Sequence, residues 1–145
     1  MSTTYKLLFL LHITSIVVAF APAAVDTMLT RQLGDSDSAV VRRVAEVASI
    51  NSQRIHGTAL ILAGLFGIGL ILASEDAWEF SQTWVSLAFL VWIAMNGVVH
   101  GIIAPSERKL AAGDMTARSR LDMGGGLVTV LFFVMLYLMI WKPGV

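Results

Sequence analysis

The chain reads as an all-α protein, a bundle of four transmembrane helices with an amphipathic cytoplasmic helix before the second span. Three observations carry that reading. Of 145 residues, 57% are hydrophobic and only 14% are charged, where soluble domains carry about 25% charged residues. Mean hydropathy is +0.77. Apolar stretches close to the roughly 20 residues that a bilayer core demands recur four times along the chain. Within lipid each backbone N–H and C=O has to be paired inside its own segment, so such stretches fold as helices. The length suits a single domain spanning residues 1–145.

The first span runs over about 7–25, from Leu7 to Val25. Lys6, the apolar run and Ala21-Pro22-Ala23-Ala24 also look like a secretory signal peptide; the segment is expected to stay in the protein as a span, bent at Pro22. A connection containing Arg31, Arg42, Arg43 and Arg54 follows. Within it Asp35-Ser36-Asp37-Ser38 offers N-caps. Val40, Val41, Val44, Val47, Ala48 and Ile50 then alternate with Arg42, Arg43, Glu46 and Asn51, the pattern of an amphipathic helix running into span two. Span two covers about 55–73 and span three about 84–104. Span four covers about 124–141, an apolar run from Leu127 to Trp141 lengthened by the glycines before it.

Lys and Arg distribution sets the orientation. The first connection holds four basic residues and the third holds Arg108, Lys109, Arg118 and Arg120, together eight of the chain's ten. The second holds only Glu75, Asp76 and Glu79. The basic side is therefore expected to be cytoplasmic, with both termini outside it. Trp78, Trp84 and Trp141 then fall at the outer interface, where indole rings settle. Asp26 and Asp122 are expected to pair with Arg31, Arg118 or Arg120 at span ends.

Several chemistries are excluded. No cysteine is present, which removes disulfides and thiolate sites. Zero net charge argues against nucleic acid as a partner. There is no H-E-x-x-H zinc pattern and no phosphate loop. No lysine or carboxylate lies deep in a span, which argues against a Schiff base or an ion pump.

What remains is histidine, a functional candidate wherever it lies inside a membrane. His12 lies in span one, roughly 8 Å below the outer surface at about 1.5 Å per residue. His56 opens span two and His100 lies near the end of span three, at similar depth by the same rise. A pair sharing one iron would therefore be His56 and His100, leaving His12 alone or with another partner. Trp92, Asn96 and His100 recur every four residues and share a face of span three. Gly97 and Gly101 form a G-x-x-x-G pair, and Ala59, Ala63 and Gly67 line span two; small residues of this kind let a helix or a flat ligand come close. Met135 and Met139 read as packing.

The order of these features resembles a group of four-span bacterial membrane proteins related to HemJ-type protoporphyrinogen oxidases and to the CopD-type copper-resistance membrane domain. The likeness rests on Lys6-Leu7-Leu8-Phe9-Leu10-Leu11-His12, on the glycine-studded Ala63-Gly64-Leu65-Phe66-Gly67-Ile68-Gly69, and on the closing Leu138-Met139-Ile140-Trp141-Lys142-Pro143. His100 followed by Arg108-Lys109-Leu110 is similar to the end of span three in the oxidase branch. The resemblance implies a bacterial inner membrane and haem b, with His12 as the leading iron ligand and His100 second; Asn96 and His56, which have no counterpart in that group, remain cofactor-binding candidates by their position alone. Where the oxidase branch opens span four with Asn-Glu-x-Pro, this chain has Asp122-Met123-Gly124-Gly125-Gly126.

Three functions are thus expected in order. The first is a haem b-binding, redox-associated membrane protein. The second is a cofactor-free structural or accessory subunit, in a homo-oligomer or a larger membrane complex. The third, least expected, is a porphyrinogen oxidase.

Overall fold

The computed structural model describes residues 2–32 and 39–144, without the side chains of residues 22, 23, 26, 27, 30 and 31. The caps expected at Asp35–Ser38 lie outside the described residues, as do the side chains of Asp26 and Arg31, which are expected to pair; at Pro22, where a bend is expected, the backbone stays helical within α1. All regular structure among the described residues is helical. In chain order the helices are α1 (Thr3–Gln32), α2 (Ala39–Asn51), α3 (Gly57–Leu72), α4 (Thr83–Val98), α5 (Ala104–Ala111) and α6 (Ala117–Trp141).

Two single π turns weld neighbouring helices together. Ser52–His56 joins α2 to α3, and Val99–Ile103 joins α4 to α5. The second has a local cause. Pro105 lies in the first turn of α5; it lacks an N–H and its ring crowds the carbonyl four residues earlier. A widened turn just before it relieves that crowding while the helix continues. The third span therefore runs on past Ala104 to Ala111.

Four helical stretches are long and apolar enough to cross a membrane: Thr3–Ala21, Ala39–Leu72, Thr83–Ala111 and Ala117–Trp141. Their apolar side chains face outward. Leu90, Ile93, Phe133 and Ile140 are each more than 60% exposed, which suits lipid and not water.

The interior is held by small residues and close ring contacts. α1 packs along α3, α4 along α6, and α2 across α5. Phe20 of α1 meets Phe132 of α6 with ring centres 4.6 Å apart, closing the circle. Ala19, Ala59, Leu60, Met95 and Val99 form the buried cluster beside that contact. On α3, Gly64 receives the indole of Trp92 so tightly that a Cβ there would collide with the ring. The two ends of the bundle differ in chemistry, and are called below the termini end and the basic end.

Candidate functional site: a cavity facing His12

Side chains from α1, α3, α4 and α6 enclose a cavity of about 270 Å³ in the half of the bundle nearest the termini. Its floor is formed by Phe20, Phe132, Leu60 and Met95, and its mouth by Tyr5, Trp78, Trp84 and Lys142. Ala63, Gly64, Gly67 and Ala88 give the middle its width. Nearly all of the lining is apolar, and its few polar groups are mostly engaged. Trp92 donates its indole N–H to the Leu60 carbonyl at 2.8 Å. Trp84 donates its own to Gln82 Oε1 at 3.0 Å.

His12 is the exception. Its Nδ1 lies 2.7 Å from the carbonyl oxygen of Ala63. A carbonyl only accepts, so Nδ1 carries the hydrogen and the neutral ring keeps its lone pair on Nε2. Among the described residues no hydrogen bond reaches Nε2. Gly67 lies against the same ring: a Cβ there would stand 3.4 Å from the imidazole Cε1, in ordinary contact. A ring fixed through Nδ1 to a backbone carbonyl, with Nε2 presented, is the usual posture of a metal-binding histidine.

The other expected site residues do not line this cavity. His56 is 4% exposed, its Nδ1 3.3 Å from the Val18 carbonyl. His100 is exposed, its ring lying across Gly57, where an added Cβ would stand 3.0 Å from Nε2. Gly57 and Gly67 are ten residues apart on α3, about 15 Å of helix, so His12 and His100 address different levels. Asn96 donates Nδ2 to the Trp92 carbonyl at 2.9 Å, while its Oδ1 is buried without a hydrogen-bond partner among the described residues. No group of three or more His, Cys, Asp or Glu able to hold a metal ion occurs among the described residues.

Haem b, the group implied by the resemblance, can be tested against this donor set. One imidazole with a free Nε2 in an apolar chamber between four helices suits a single axial ligand. Two histidines on one iron do not fit, because only His12 reaches the chamber. At about 270 Å³ the chamber falls just short of the roughly 300–1,000 Å³ that holds a drug-sized ligand. A macrocycle, which lies well within that range, therefore requires the partly exposed lining, Met135 and Met139 among it, to give way, since Met95 is fixed in the buried cluster.

Two features escaped the sequence reading. Glu107 is only 7% exposed although Arg108 and Lys109 follow it; the continuous α4–α5 helix carries it against α2. Lys142, beyond the last span, reaches back over the cavity, its Nζ 3.9 Å from the centre of the Trp78 ring. Tested against known protein families, curated proteins and solved structures, the chain matches none of them.

Proposed function

We propose that this protein is a haem b-binding, redox-associated membrane protein, with His12 as the axial ligand in the bundle cavity. The observation that carries the reading is the His12 ring, held through Nδ1 by the Ala63 carbonyl at 2.7 Å with Nε2 left for a ligand. Haem would supply an iron that changes oxidation state, at a potential set by the axial ligand and the low dielectric around it. The chain's own contribution would be to hold the His12 imidazole in one tautomer with Nε2 free to bind, inside an apolar chamber that limits access of water. The basic end is taken as cytoplasmic and the membrane as a bacterial inner membrane.

The test is an absorption spectrum of the purified protein, oxidised and then reduced with dithionite, from cells supplied with haem. A Soret band with sharp α and β bands on reduction is expected. It should vanish in His12→Ala and persist in His56→Ala and His100→Ala. A featureless wild-type spectrum, or an unchanged one in His12→Ala, removes the reading.

One observation favours a second reading, an accessory subunit. Gly97 and Gly101 have nothing within 4 Å of an added Cβ, so their close-approach surface faces away from the chain's own bundle. That surface suits another helix, in a second copy or a larger complex. Loss of a co-purifying partner in Gly97→Leu, with the bundle intact, is the outcome it requires.

A further inference from the structure

The mouth of the cavity is organised around a cation that the fold takes trouble to position. Lys142 ends α6 in the left-handed region, with φ 44° and ψ 60°. A non-glycine residue adopts that conformation at a cost, so something must hold it there. Its N–H is fixed to the Leu138 carbonyl at 3.0 Å. Gly144, at φ 93°, turns the tail onto Thr83, whose Cβ lies 3.4 Å from the position of an added Cβ. The result brings the ammonium over Trp78 at 3.9 Å and within 5.8 Å of the Trp84 ring centre. Those two indoles stand edge to face, 5.5 Å apart.

Three carboxylates, Glu75, Asp76 and Glu79, belong to the adjoining 73–82 connection. None of them pairs with Lys142 among the described residues; Glu79 accepts from Ser81 instead. Lys142 is also the one charged side chain lining the cavity among the described residues. The ammonium thus rests on ring faces without a carboxylate partner among the described residues, and it stands where an apolar chamber opens.

We propose that Lys142 is a ligand-binding residue, which receives the carboxylate of an amphiphile whose apolar body fills the cavity beside His12. The inference rests on the cavity reading above and names the ligand's polar end. A carboxylate of this kind comes from two sources, the propionate of a haem or the head of a fatty acid, and both place charge outward and apolar bulk inward. An ammonium–carboxylate contact at a partly desolvated mouth is a charge-assisted hydrogen bond.

The experiment compares acid with ester in bilayers of zwitterionic lipid. The probes are haem b against its dimethyl ester, read by the Soret band, and palmitate against methyl palmitate, read by tryptophan fluorescence. Wild type, Lys142→Arg and Lys142→Gln are measured side by side, so partition into lipid cancels in the ratios. Wild type and Lys142→Arg should prefer the acid about tenfold more than Lys142→Gln does, in at least one pair, with ester affinity unchanged. Lys142→Met replaces the amide variant should that fail to fold. Equal acid-to-ester ratios in wild type and the neutral variant, in both pairs, overturn the proposal. If haem fails to bind while palmitate shows the difference, the haem reading falls and this one stands. If His12-dependent haem binding shows no such difference and palmitate shows none, this one falls and haem stands.

Discussion

The two halves of the bundle solve the same packing problem differently. At the basic end, α2 and α5, which continue spans two and three, pack against each other, and Val41 and Leu110 there are 1% and 0% exposed. Polar groups are enclosed there as well: Ser49, Ser52, His56, Ser106 and Glu107. At the termini end no extra helix is present among the described residues. The interior is closed only by the 73–82 connection and the turned-back tail, and a chamber remains. Filling is thus a matter of how many elements converge, since lipid-facing spans gain nothing from water in drawing together. The difference also sorts the histidines. One type of side chain is a buried hydrogen-bonding group in His56, a surface cover for glycine in His100, and a presented nitrogen in His12.

The sharpest way to break that contrast is to exchange the roles. His12→Ala is expected to cost essentially all haem binding, the largest effect foreseen. His56→Ala is expected to spare binding and lower stability instead, because it empties a buried site and leaves the Val18 carbonyl without its partner. Unfolding measured beside the Soret titration separates the two. A His56 variant that lost haem at unchanged stability would dissolve the distinction between a filled end and a binding end.

Glycines sharpen it next. Gly64→Ala drives a methyl into the Trp92 ring, a collision costing about 1–3 kcal/mol by analogy with overpacked cores. Gly97→Ala meets nothing within 4 Å and should leave the stability of the isolated protein unchanged. Trp92→Phe keeps most of the ring but loses the bond to the Leu60 carbonyl, at about 0.5–1.5 kcal/mol. Denaturant titration in mild detergent ranks the three. Equal losses at Gly64 and Gly97 would show that α3 and α4 do not approach as described.

The parts of this architecture legible in the chain are those that lipid enforces. Four apolar runs announce four spans because a bilayer leaves no alternative, and the amphipathic run before span two announces α2. Depth was legible too, since it is counted along a helix: His100 lies over Gly57, the neighbour of His56, while His12 lies higher, at Ala63 and Gly67. Which histidine faces the chamber was not legible, because the order of helices around the ring is not written in any one of them. Lys142 hid for a different reason. A lysine after a last span ordinarily points to the interface, and only the left-handed turn at 142 and the tail contact at Gly144 bring it back. Glu107 hid because Arg108 and Lys109 read as a loop, whereas Pro105 is absorbed by a π turn and the helix goes on.

The smallest effect foreseen lies in the turn between α5 and α6, fully outside the spans. Asp114 accepts from the Thr116 hydroxyl at 2.5 Å and from its backbone N–H at 3.1 Å. Those bonds, the hydroxyl's first, hold its carboxyl below the usual carboxylate range, with the nearby Lys109 adding to the effect. A carboxyl whose pKa is depressed by folding stabilises the protein while it is ionised. That contribution is present at neutral pH and is lost as the pH falls through the depressed value. Wild type should therefore melt slightly above Asp114→Asn at neutral pH, and the two should converge once the pH drops below the carboxylate range. Because the group is fully exposed, the gap should also shrink with added salt. A gap that instead widened in acid would mean that the turn is held by something other than this carboxylate. The contrast between the two ends would then need to include how α5 hands over to α6.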